Sequence, residues 1–175
     1  EEKYGVETIG DWSVAAAQKA DAWILSTPPD THVSLGLQAL DAGAHFFAEA
    51  GVDDPLMDTL LNRLQETGLV GAASCTMTHF FGPKRIQAIV EAGTIGVPKT
   101  ISYQSGQYLP DWHPWERYQD FYVSQKHTGA CREIVPFELT WLVATSGGLD
   151  KGSCRKNKTN ERAPGTKADH PSLVE

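Results

Sequence analysis

Apolar and polar positions alternate in blocks along the first half of the chain. Ala22-Trp23-Ile24-Leu25 is a short apolar run with the length of a buried strand. Pro28-Pro29 must end it, because proline cannot donate to a sheet ladder. Asp30 stands where a helix N-cap belongs, and Val33, Leu37 and Leu40 then mark one helical face. Gly43 closes that helix, and His45-Phe46-Phe47-Ala48 predicts a second strand ending at Glu49. Strand, loop, helix, strand is a βαβ unit, so the two strands are expected to run parallel. Thr27 and Glu49 then fall just beyond adjacent carboxyl ends, the edge where open α/β sheets bind ligands.

The pattern continues on both sides. Asp11 is placed to cap a short helix running from Ser13 to Gln18. Asp54-Pro55 predicts a helix start; Leu56, Leu60 and Leu64 form its stripe, and Gly68 closes it. Leu69 to Ala73 is small and apolar and predicts a third parallel strand. From Ser74 the pattern changes. Gly82-Pro83 opens a helix carrying Ile86, Ile89 and Val90, and Val97 to Tyr108 alternates like a strand with one covered face. An aromatic segment follows, with Trp112, Trp115, Tyr118, Phe121 and Tyr122. A helix is expected from about Ile134 to Thr145, with Pro136 tolerable only in its first turn.

These elements predict an α/β protein: a partial doubly wound, Rossmann-like parallel sheet followed by the start of an α+β substrate domain. The expected units are residues 1–73, 74–149 and 150–175. The last is expected to be a disordered polar tail, because Asp150 to Pro171 contains no large apolar side chain to offset its ordering entropy.

Composition narrows the function. The net charge of −7 argues against a nucleic-acid partner. No apolar run approaches membrane-spanning length, and no secretory signal opens the chain. Three widely spaced cysteines, Cys75, Cys131 and Cys154, lack metal-ligand spacing, so no metal site is expected and a reducing cytoplasm is the simplest setting. A sheet that begins at Ala22 is expected to leave an open edge, a route to homo-oligomers.

Particular runs are more specific. "DAWILSTPPDTHVSLGLQALDAGAHFFAE", Asp21 to Glu49, resembles the distal half of the nucleotide-binding domain in glucose–fructose oxidoreductase, inositol dehydrogenase and related NAD(P)-dependent sugar dehydrogenases. Cys75 to Gly96, "YLPDWHPWERYQDFY" from Tyr108 to Tyr122, and "CREIVPFELTWL" from Cys131 resemble the start of that family's second domain. The resemblance implies a fragment or truncated homologue of an NAD(P)-dependent oxidoreductase that transfers hydride to or from a sugar, sugar derivative or polyol. It implies NAD or NADP as cofactor, held by Thr27, Pro28, Pro29, His32 and Glu49. Trp112 and Tyr118 become the expected substrate contacts. His113 and Glu138 become the leading catalytic candidates, with Glu133 and Tyr118 also considered.

Departures from the family pattern open a second reading. The chain contains no Gly-x-Gly-x-x-Gly turn to hold a pyrophosphate. Where the family has Glu-Lys-Pro, Glu49-Ala50-Gly51 stands, without the lysine. Thr76 and Thr78 replace an Asn-x-Arg pattern, and Phe137 replaces a frequent histidine. The alternative is therefore a non-catalytic remnant or a carbohydrate-binding domain.

Overall fold

The computed structural model describes residues 3–51, 54–106, 108–117, 119–157 and 170–174. Three parallel strands form its centre: β1 (Ala22–Leu25), β2 (His45–Ala48) and β3 (Gly71–Ala73), in the order β1-β2-β3. Ala22 pairs with His45 and Leu25 with Ala48; Phe46 pairs with Gly71 and Ala48 with Ala73. The expected βαβ connection is thus present, with α2 (His32–Asp41) between β1 and β2. A second helix, α3 (Met57–Thr67), joins β2 to β3 and ends on Gly68 in the left-handed conformation, φ 67°. A short α1 (Trp12–Ala16) precedes the sheet, capped by the Asp11 carboxylate, which accepts from the Ser13 and Val14 N–H groups.

The core lies on one face of the sheet. Trp23, Leu25, Phe46 and Ala48 point into it and meet Val33, Ala39 and Leu40 of α2 and Leu60 of α3. Phe46 organises this packing. Its ring covers Gly36 on α2 and Gly71 on β3, where an added Cβ would collide with the ring. Both glycines let the helix and the neighbouring strand approach the aromatic closely. The opposite face carries Ile24 and Phe47, which are 70% and 37% exposed.

Two helix starts differ from expectation. Asp30 does not cap α2. A 3-10 turn, Pro29–Thr31, intervenes, and Thr31 takes the capping position. The Pro-Pro pair explains the difference: its fixed φ values favour a tight turn before the helix. Asp54 likewise acts one turn early, accepting from the Leu56 N–H at 2.7 Å ahead of α3.

Beyond the sheet, α4 (Phe81–Glu91) and a 3-10 turn (Thr76–His79) pack against the long α6 (Ala130–Ser146). A four-residue helical turn, α5 (Leu109–Trp112), opens the aromatic segment. Helix α6 begins earlier than expected, so Pro136 lies inside it rather than in its first turn. Residues 97–106 do not form the expected strand. A strand requires a neighbour to accept its ladder, and none flanks this segment among the described residues. The Tyr103 ring stands edge-on to Trp141 of α6 at 5.3 Å.

The tail also differs from expectation. Cys154–Asn157 (β4) and His170–Val174 (β5) pair antiparallel, with a register shift between Cys154 and Lys156. Backbone ladder bonds join these two short strands. The expectation for residues 158–169 lies outside the described residues.

Candidate functional site

The carboxyl ends of β1 and β2 deliver two loops to one rim. The Glu49 N–H donates to the Leu25 carbonyl at 3.0 Å, which continues the parallel ladder past β2. Thr27 and Glu49 therefore stand on adjacent strand ends, and both are exposed. In the β1 loop, the Thr27 and Thr31 hydroxyls lie 2.6 Å apart, and Thr31 Oγ1 donates to the Pro28 carbonyl at 2.7 Å. Pro29 is half-buried and packs towards Gly51, the glycine of the β2 loop.

His32 joins the two loops. Its side chain is 1% exposed. Its Nε2 lies 2.8 Å from the Thr27 carbonyl and its Nδ1 lies 3.0 Å from the Gly51 carbonyl. Gly51 has φ 92°, and a Cβ there would stand 2.7 Å from Pro29 Cβ and 3.7 Å from Glu133 Cγ. This one position thus meets the β1 loop on one side and α6 on the other.

Glu133 arrives from the first turn of α6, where the helix dipole favours negative charge. It is 9% exposed. The Tyr122 hydroxyl donates to its Oε1 at 3.1 Å, while Oε2 is buried and has no hydrogen-bond partner among the described residues. Burial pushes the Glu133 carboxyl above its ordinary range, with Glu49 adding repulsion; Tyr122, His32 and His113 pull it back. Burial also raises the Tyr122 hydroxyl, reinforced by the negative charge of Glu133. A shallow pocket opens beside this carboxyl, lined by Pro29, Asp30, Gly51, His127, Thr128 and Arg132.

An aromatic chain leads away from Tyr122. Its ring meets Phe121 at 4.3 Å, and Phe121 stacks on His113 at 4.0 Å. Trp112 stands edge-on to both Phe121 and His113. His113 Nδ1 also lies 2.6 Å from Glu116 Oε1. Trp115 touches the His113 ring but is 76% exposed.

The expected site residues thus divide into groups. Thr27, Pro28, Pro29, His32 and Glu49 lie together at the rim, and His113 and Trp112 belong to the aromatic chain that ends at Glu133. Glu138 stands apart from Glu133 on α6: Trp141 Nε1 donates to its Oε2 at 2.9 Å, and the Tyr103 hydroxyl bonds its carboxylate. Tyr118 lies outside the described residues. Sequence reasoning weighed Glu133 without preferring it, and passed over Gly51 and Tyr122. The available signal was position: a carboxylate in the first turn of a helix that follows an aromatic loop faces back towards that loop. Among the described residues, no group of three or more His, Cys, Asp or Glu is placed to hold a metal ion, and no helix is long and apolar enough to cross a membrane.

No family model and no curated protein matches the chain by sequence. Solved structures match it by shape. An oxidoreductase from Agrobacterium radiobacter, in complex with NAD+, L-tartaric acid and magnesium, superposes with TM-score 0.73 at 16% identity, covering 91% of this chain and 45% of its own. An inositol dehydrogenase homologue from Azotobacter vinelandii, complexed with NAD+, gives TM-score 0.65 at 16% identity, covering 91% and 44%. GenD2 from gentamicin A biosynthesis, in complex with NAD, gives TM-score 0.69 at 13% identity, covering 96% and 48%. The fold is therefore shared with these three proteins: an open, Rossmann-like parallel sheet with helices between its strands. The chain spans less than half the length of these three proteins.

Proposed function

We propose that this chain carries the nicotinamide-side rim and the proton-handling carboxyl of an NAD(P)-dependent oxidoreductase acting on a sugar, sugar derivative or polyol. The observation that carries this reading is Glu133: a buried carboxyl held by Tyr122 through one oxygen, with the other oxygen unpartnered among the described residues, beside the carboxyl ends of two parallel strands. A hydroxyl losing hydride from its carbon must also lose a proton, and a carboxylate made more basic by burial is suited to accept it. Glu133 takes that role in this reading, Thr27, Pro28 and Glu49 contact the nicotinamide ribose, and Trp112 and His113 border the sugar.

The residues present fit one end of the cofactor better than the other. The Thr27 hydroxyl and the Glu49 carboxylate are exposed at the strand ends and offer polar groups to a ribose. The chain has no glycine-rich turn for the pyrophosphate. When bound, the nicotinamide supplies the hydride acceptor; the chain's own residues orient the sugar and take its proton.

Ala50 at the family's lysine position favours a second reading in which the rim binds a sugar-like ligand without turnover. Tryptophan fluorescence separates the two. Quenching by NADH at millimolar concentration, abolished by Thr27→Tyr, is expected for the oxidoreductase reading. Quenching by polyols alone supports the binding domain, and no response to NADH overturns cofactor binding by this chain.

A further inference from the structure

The His32 side chain carries more information than a loop contact requires. A backbone carbonyl only accepts hydrogen bonds, so each ring nitrogen facing one must carry a hydrogen. His32 faces two: Thr27 O at 2.8 Å from Nε2 and Gly51 O at 3.0 Å from Nδ1. A neutral imidazole has a hydrogen on one nitrogen only. Turning the ring over does not remove the conflict, because it would set ring carbons against both carbonyls.

We propose that His32 is an imidazolium clasp, donating to the Thr27 and Gly51 carbonyls together, so that its charge fixes the spacing of the two rim loops. A buried cation requires compensation, and the surroundings are negative. Glu133 on α6 is electrostatically coupled to His32, and Glu49 at the end of β2 is coupled to Glu133. Asp30, on the turn between β1 and α2, is engaged by His127 at 3.6 Å. The other charged or titratable groups nearby are Arg132 beside the pocket, Tyr122 bonded to Glu133, and His113 along the aromatic chain.

The clasp accounts for two features. The β1 and β2 loops are joined by a side chain that has lost contact with solvent. Gly51, whose carbonyl faces His32 Nδ1, also lies close to the buried Glu133, since a Cβ there would stand 3.7 Å from Glu133 Cγ. Removing one ring proton leaves a lone pair facing a carbonyl, so one loop is released while the other stays bound. The clasp thus sets the rim in one state and loosens it in the other.

Nitrogen-15 NMR of the intact chain, labelled at histidine and free of ligand, tests the charge directly. Both His32 nitrogens are expected to show the signature of N–H nitrogens. One nitrogen with the signature of a bare lone pair overturns the proposal. A second measurement does not depend on ring assignment. His32→Gln keeps a donor for one carbonyl but carries no charge, so amide exchange at Glu49 and Gly51 is expected to accelerate about tenfold or more, as for loss of a charged hydrogen bond. Unchanged exchange in that variant also overturns the clasp. Both readouts are made without NAD, so failure of cofactor binding leaves them intact.

Discussion

Replacing Gly51 with alanine tests how tightly the rim is assembled. Two terms oppose the change. At φ 92° an L-residue sits in the left-handed region, which costs roughly 1–2 kcal/mol. The new Cβ would also stand 2.7 Å from Pro29 Cβ, inside contact distance, with Glu133 Cγ 3.7 Å away on the other side. Overpacking of this kind costs about 1–3 kcal/mol. The alanine regains roughly 0.4–1 kcal/mol through the less flexible unfolded chain. The net expectation is a loss of roughly 1–4 kcal/mol. Gly68→Ala is the control. Gly68 has φ 67° and open space where its Cβ would lie, so only the backbone terms apply and the net loss is about 1 kcal/mol. Urea unfolding of both variants, with slopes compared to exclude a changed denatured state, gives the two losses. If Gly51→Ala costs no more than Gly68→Ala, Pro29 does not press on the β2 loop and the close-packed rim is refuted.

Three further outcomes follow from the same geometry. Phe46→Ala should cost about 3–5 kcal/mol in chemical denaturation, because the ring fills the space over Gly36 and Gly71; a loss below about 1 kcal/mol would contradict its place at the centre of the core. Burial raises the Glu133 carboxyl above 4.5, so its ionisation costs stability above that pH and nothing below it, where both states are protonated. Melting temperatures of Glu133→Gln, taken relative to the unsubstituted chain, should therefore rise between about pH 4 and pH 7; a flat or falling difference would count against the raised carboxyl. Pro136→Ala should stabilise α6, since proline inside a helix costs roughly 3 kcal/mol relative to alanine, and a lower melting temperature would contradict this.

The βαβ unit was legible because periodicity, punctuation and chain direction agreed over Ala22 to Glu49. The alternating segment Val97 to Tyr108 misled for a definite reason. Alternation describes a strand with one covered face, but the ladder depends on a neighbour that local pattern does not supply. Composition weighs apolar burial and carries no information on the backbone pairing that joins β4 and β5. At the site, the rim residues could be read from their place at strand ends. The choice between Glu133 and Glu138 could not, because both stand on the same helix and differ in what lies opposite. Glu138 meets Trp141 and Tyr103, while Glu133 meets Tyr122 and the rim. Gly51 was invisible as a site residue because its role lies in its φ and in the Pro29 ring beside it.

Thr27, Glu49 and Gly51 stand on one rim, with Glu133 beside Gly51. Titrating NADH into the nitrogen-15-labelled chain and following each backbone amide tests it most directly. Shifts concentrated at those four residues are the predicted result. Shifts absent from all four, or confined to the far ends of β1 and β2 near Ala22 and His45, would contradict it.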